Sequence, residues 1–174
     1  MYRTVIFDLD GTLLDTIGDL AAAANAVCRE NGWPEYTVQA VEGMVGHGIP
    51  NLVSRFSPAE AQEPQTLERT LAQFNRVYGA HNMELTAPYA GMPELLKKLK
   101  AAGVRLAVCS NKADEFSQVI VAHYFPGIFE VIPGNLPGTP VKPDPGVAKG
   151  IMERLGAEPG ETLMVGDSDV DIHT

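Results

Sequence analysis

The sequence predicts an α/β protein: a parallel sheet core whose first strand is followed by a long all-helical insert. Three observations carry that prediction. Short β-favouring runs at 3–9, 104–109, 129–132 and 162–165 alternate with helix-length segments, the pattern of parallel strands joined by right-handed crossovers. Between residues 16 and 80 no stretch alternates with a period of two, while apolar residues recur at spacings of three and four. Three of the strand runs lead into polar residues, Asp8, Ser110-Asn111 and Gly166-Asp167. In an open parallel sheet that is the edge where ligands bind.

Residues 3–9 form the first expected strand, with Val5, Ile6 and Phe7 suited to burial and Gly11 ending the run. Asp15 or Thr16 can cap the alanine-rich helix 19–30, which Asn31-Gly32 closes. A short helix is expected over 37–45. The glycines at 46 and 48 break it, and a helix resumes at 49–56. After Ser57-Pro58 and Pro64, residues 66–80 read as a helix with Leu67, Leu71, Phe74 and Tyr78 on one face. The insert is assigned to 16–81, and the core to 1–15 plus 82–174. In the core, helix 94–102 ends at Gly103, strand 104–109 leads into helix 113–124, and a short strand is expected at 129–132. A loop at 135–145 holds four prolines. It is followed by helix 146–155, strand 162–165 and one helical turn from Asp169, with Asp167 or Asp169 as its cap. Ser110 taken by itself suits the cap of helix 113–124.

The 174 residues are 45% hydrophobic and 20% charged, with a net charge of −9. This composition belongs to a folded globular chain, and its acidic balance argues against a nucleic-acid partner. No apolar run is long enough to span a bilayer, and the N-terminus lacks a signal-peptide shape. Cys28 and Cys109 stand in apolar settings and read as buried reduced thiols, with a disulfide as the alternative. The cytoplasm is the expected compartment.

Asp8 and Asp10 repel each other unless a cation lies between them, and carboxylates at a strand end suit a hard divalent ion such as Mg²⁺. Two solvated aspartates are the plain alternative. Adding Ser110, Lys142, Asp167 and Asp171 gives a nucleophile, an acid/base group, a hydroxyl donor, a cation and two further carboxylates. A dication and Lys142 together would neutralise a phosphoryl group and let anionic Asp8 approach its phosphorus.

Four stretches in order, FDLDGTLLDT (7–16), VCSNK (108–112), VKPDP (141–145) and VGDSDVDI (165–172), resemble the motifs of the haloacid dehalogenase superfamily of phosphatases. Within it the chain is similar to the phosphoglycolate phosphatase-like group. The resemblance implies a Rossmann-like core with a helical cap of the C1 type. It also implies Mg²⁺-dependent hydrolysis of a small phosphorylated metabolite through an aspartyl-phosphate, by a monomer or homodimer. Asp8 would be the nucleophile and Asp10 the acid and base. Ser110 and Lys142 would hold the phosphoryl group, and Gly11, Thr12, Asn111 and His47 would contact substrate. Asp8, Asp167 and the main-chain carbonyl of Asp10 would ligate the metal, with Asp171 supporting it from behind. His47 sits between glycines in the insert, a setting suited to a specificity loop. Arg55 is a candidate for a substrate carboxylate.

Family members continue beyond the fourth motif with a completed helix, a further strand and a closing helix. This sequence stops at Thr174, so the core is expected to be incomplete at that end. A sugar-phosphate mutase and a catalytically inactive truncated chain remain alternatives. Mutases of this fold often carry an apolar residue where this chain has Thr12, which leans toward hydrolysis. A signalling receiver also pairs an aspartate with a hydroxyl, a lysine and Mg²⁺. Its acceptor lies on an internal strand, however, and no helical insert follows.

Overall fold

A computed structural model describes residues 2–46 and 48–174. Contacts divide the chain into two compact units, Met1–Asp15 with Ala87–Thr174, and Thr16–Thr86.

The first unit is built on a parallel three-stranded sheet in the order β4-β1-β5: β1 (Thr4–Phe7), β4 (Arg105–Val108) and β5 (Thr162–Val165). Phe7 lies opposite both Val108 and Val165, so the three strands end level with one another. The central strand is buried throughout because helices and loops cover both its faces, which is why it reads as an unbroken apolar run. Ile6, Ala107, Cys109, Val131, Ile151 and Leu155 form one core cluster, which brings α7 (Gly146–Leu155) onto the sheet. Phe129 meets Phe7 and Phe125 edge-on at 6.3 and 5.9 Å. The remaining helices of the unit are α5 (Met92–Ala101), α6 (Asp114–Tyr124) and the single turn α8 (Asp169–Ile172).

Two departures from the sequence reading concern strands. Residues 129–132 form no strand. Val131 makes one parallel bridge to Ala107, supported by two main-chain hydrogen bonds to β4 at 2.9 Å, and Pro133 then removes the next donor. Conversely, Leu14–Asp15 (β2) pairs antiparallel with Ala87–Pro88 (β3). This two-residue ribbon carries no readable alternation.

The second unit is helical among its described residues: α1 (Ile17–Asn31), α2 (Val38–Glu42), α3 (Ile49–Phe56) and α4 (Pro64–His81), with a 3₁₀ turn at Ala59–Ala61. Gly32 closes α1 in the left-handed conformation at φ 69°, and Pro64 opens α4 rather than breaking it. Phe56, Phe74 and Tyr78 stack through the core of this unit, whereas Trp33 is only half-buried. Residues 82–86 belong here because the buried Asp19 carboxylate accepts from the Leu85 N–H, the Thr86 N–H and the Thr86 hydroxyl. Both cysteines are free and buried.

Candidate active site

The level strand ends place Asp8 immediately beyond β1. Its N–H donates to the Val165 carbonyl, and the Cys109 N–H donates to the Phe7 carbonyl. The last pairings of the sheet therefore fix the positions of the residues that follow. Lys142, from the proline-rich loop, reaches this edge with only 3% of its surface exposed. Its Nζ lies 2.7 Å from Asp8 Oδ1 and 2.5 Å from Asp171 Oδ1. Asn111 secures the loop: its Oδ1 accepts from the Lys142 N–H at 2.7 Å, and its Nδ2 donates to the Lys142 carbonyl at 3.0 Å.

Asp171 is held from its other side. The Ser168 N–H and hydroxyl donate to Oδ2 at 3.1 and 2.6 Å. Ser168, not Asp167 or Asp169, is the N-cap of α8, and Asp171 answers it from the third helical position. Gly166 permits the close approach, since a Cβ there would fall 2.2 Å from the Asp171 carboxyl carbon. Asp167 is exposed and accepts from the Thr12 hydroxyl at 2.8 Å. Gly11 has φ +88°, and a Cβ on it would lie 2.4 Å from Asp167 Oδ2, so this turn requires glycine twice over.

Oxygens of Asp8, Asp167 and Asp171 lie within 4.8 Å of one another. Octahedral Mg²⁺, with bonds of about 2.1 Å, places its ligand oxygens about 3 to 4.2 Å apart. Three carboxylates against the single Lys142 ammonium leave two negative charges, which a divalent cation balances. The donors are hard oxygens, so the residues present fit Mg²⁺. Asp171 already uses both oxygens on Lys142 and Ser168, which leaves Asp8 and Asp167 as the side chains better placed to ligate it.

The electrostatics follow from burial. Burial pushes the Asp8 carboxyl up to about 7, although Lys142 draws it down. Burial also opposes the charge on Lys142, but Asp8 and Asp171 outweigh it and hold the ammonium above its ordinary value. For Asp171, burial raises the pKa less than the Lys142 and Ser168 hydrogen bonds lower it. Buried Cys109 is pushed up to about 11, which keeps it a thiol at neutral pH.

The residues expected at the site are thus largely together: Asp8, Asp10, Gly11, Thr12, Ser110, Asn111, Lys142, Asp167 and Asp171 all belong to the first unit. Three of them have partners the sequence did not suggest. Asn111, expected at the substrate, clamps the Lys142 backbone with both ends of its amide. Thr12 bonds Asp167. Ser110 Oγ accepts from the Lys112 N–H at 3.1 Å and does not cap α6, whose N-cap is Ala113. Arg55 donates to the Gly43 carbonyl. His47 lies outside the described residues.

The site also contains a residue the sequence reading missed. Lys112 is buried, and its Nζ lies 2.8 Å from Asp10 Oδ1. A lone lysine after Asn111 gives no signal of this, because lysines are ordinarily solvated.

The family model for haloacid dehalogenase-like hydrolases matches residues 5–174. A phosphoglycolate phosphatase of Aquifex aeolicus is 34% identical over 171 residues, covering 98% of this chain and 78% of its own length. A phosphoglycolate phosphatase of Nitrosospira multiformis is 35% identical over 170 residues, covering 95% and 75%. The crystal structure of a candidate phosphoglycolate phosphatase from Lactobacillus delbrueckii superposes with a TM-score of 0.92 at 32% identity, covering 99% of this chain and 81% of that one. The chain therefore spans about three quarters of the length of these relatives. With its sheet, its motif order and its acidic strand ends, the chain belongs to the haloacid dehalogenase-like hydrolase family, as a phosphatase-type enzyme resembling the phosphoglycolate phosphatases.

Proposed function

We propose that the chain is a Mg²⁺-dependent phosphomonoesterase acting on a small phosphorylated metabolite, of which 2-phosphoglycolate is the leading candidate, through an aspartyl-phosphate on Asp8. The observation that carries this reading is the convergence of Asp8, Asp167 and Asp171 carboxylate oxygens to within 4.8 Å of one another, with the buried Lys142 ammonium paired to Asp8 and Asp171. Asp8, Asp167 and the main-chain carbonyl of Asp10 would hold the ion. When bound, Mg²⁺ supplies the positive charge that offsets the phosphoryl oxygens and favours ionised Asp8.

Asp8 attacks phosphorus as the bond to the leaving-group oxygen breaks, and Asp10 gives that oxygen a proton. Water then adds to the phosphorus of the aspartyl-phosphate and passes a proton to Asp10. The phosphorus–Asp8 bond breaks, regenerating the carboxylate. Lys142 offsets negative charge beside Asp8 throughout, and Asp171 holds Lys142 in place. Ser110 offers its hydroxyl to the phosphoryl oxygens. The helical unit acts as the cap that selects substrate, with His47 a candidate contact. The expected cytoplasmic setting is in keeping with the two free buried thiols; among the described residues no helix is long and apolar enough to cross a membrane.

The test is phosphate release from a panel of 2-phosphoglycolate, pyrophosphate, sugar phosphates and a generic aryl phosphate, with Mg²⁺ and with EDTA. Release that needs Mg²⁺ and favours a small phosphomonoester is expected. Phosphate moving between hydroxyls of a sugar without release marks the mutase alternative. No turnover of any ester marks an inactive chain. Turnover undiminished by EDTA refutes the metal site.

A further inference from the structure

Among the buried charges, Lys112 has no part in the mechanism above. Its backbone is tied on three sides. The N–H donates to Ser110 Oγ at 3.1 Å, and the carbonyl accepts from the Asn135 N–H at 2.7 Å and from the Ser117 hydroxyl at 3.3 Å. So anchored, the side chain is 1% exposed and places Nζ 2.8 Å from Oδ1 of Asp10, whose own side chain is 19% exposed. An ammonium has three donors and no acceptor, so it can hold a carboxyl oxygen but cannot receive a carboxylic hydrogen bond. Proton transfer needs the transferring oxygen within hydrogen-bond reach of the leaving group, and small misplacements are costly.

We infer that Lys112 is a positioning residue for proton transfer: by holding Oδ1 of Asp10 it fixes the carboxyl plane and confines the transferable proton to Oδ2. This rests on the acid–base reading of Asp10. In the first step the proton on Oδ2 passes to the leaving-group oxygen as the bond from that oxygen to phosphorus breaks and the Asp8–phosphorus bond forms. In the second, the attacking water returns a proton to Oδ2 as the Asp8–phosphorus bond breaks.

The experiment measures kcat/KM, which reports steps up to departure of the leaving group, for wild type, Lys112→Met, Lys112→Arg, Asp10→Asn and the Lys112→Met/Asp10→Asn pair. Each is assayed with Mg²⁺ on an alkyl phosphate, whose leaving group needs a proton, and on 2,4-dinitrophenyl phosphate, whose leaving group does not. Lys112→Met is expected to lose about 10- to 100-fold on the alkyl ester and about 3-fold or less on the dinitrophenyl ester. Lys112→Arg recovers most of that loss, and the double variant is no slower than Asp10→Asn. Equal losses on both esters, or additive losses in the double variant, overturn the inference while leaving the acid–base reading intact. Asp10→Asn losses that ignore the leaving group overturn that reading, and the inference with it.

The pairing itself is read without turnover by ¹⁵N NMR of the Lys112 ammonium. The signal is expected to be protected from solvent exchange in wild type and to exchange faster in Asp10→Ala, which removes both carboxyl oxygens. Unchanged protection in that variant counts against the inference, and guards against a Lys112→Met chain that fails to fold.

Discussion

Replacing Lys142 with methionine removes one charge and keeps most of the side chain's volume. In the folded chain the Lys142 side chain is 2% exposed and pairs at 2.7 and 2.5 Å with Asp8 and Asp171, whose side chains are 11% and 3% exposed. Its loss leaves two buried carboxylates facing each other without a counter-charge. Breaking a buried pair in this way costs about 3–5 kcal/mol. For a chain of this length, at about 2–4 °C per kcal/mol, the melting temperature should fall by roughly 6–20 °C.

The deficit should depend on pH. Asp8 stands at about 7 even with Lys142 present, because burial opposes its charge. Without the ammonium it rises further, and Asp171, normally held low by Lys142 and Ser168, rises too. A folded carboxyl with a raised pKa keeps a proton the unfolded chain has shed. Stability is then lost as pH rises from the unfolded value through the folded one. The variant should approach wild type near pH 4 and fall furthest behind above pH 7. Urea denaturation of both proteins in EDTA between pH 4 and pH 8.5 measures this. A gap under about 1 kcal/mol at pH 8, or one that does not change with pH, would refute the buried-charge reasoning.

Other outcomes follow from the same geometry. Mg²⁺ should raise the melting temperature of the metal-free chain more at pH 8 than at pH 6, because Asp8, pushed up to about 7 by burial, must shed its proton to ligate; equal increments at the two pH values contradict this. Gly11→Ala should destabilise by about 1–2 kcal/mol through its φ of +88° alone. It should also weaken Mg²⁺ affinity by pushing on Asp167, which titration calorimetry reads; unchanged affinity argues against the ligand role of Asp167. Phe74→Ala, in the stack with Phe56 and Tyr78, should cost about 3–5 kcal/mol in urea unfolding. A loss under about 1 kcal/mol would show that the aromatic stack does not hold the helical unit together.

The acidic strand ends were legible because they obey two local rules at once. An apolar run marks the strand, and the polar residue after it marks the edge. Asp8 and Asp167 follow from that pattern, whereas Lys142 taken alone reads as a solvated loop lysine and is marked only by its company with the other motifs. Partnerships that depend on three-dimensional aim were not legible. Asn111 reads as a substrate contact, but a short amide two-handed on a backbone segment 31 residues away leaves no mark in sequence. Lys112 looks solvated until the Asn135 and Ser117 bonds to its carbonyl turn its side chain inward. Asp167 and Asp169 read as the cap although Ser168 stands between them, because Asp and Ser cap about equally well. Only the bonds Ser168 makes to Asp171 decide among them. The β2–β3 ribbon was hidden by its length of two residues and by Pro88.

The central claim is that Asp8, set between Lys142 and a bound dication, takes the phosphoryl group covalently. Peptide mapping by mass spectrometry, after acid quench of a single turnover with Mg²⁺ and an aryl phosphate, tests it directly. The expected result is one added phosphoryl group on the peptide containing Asp8, absent from Asp8→Asn. Phosphate release without any such adduct, or an adduct on a different residue, would contradict it.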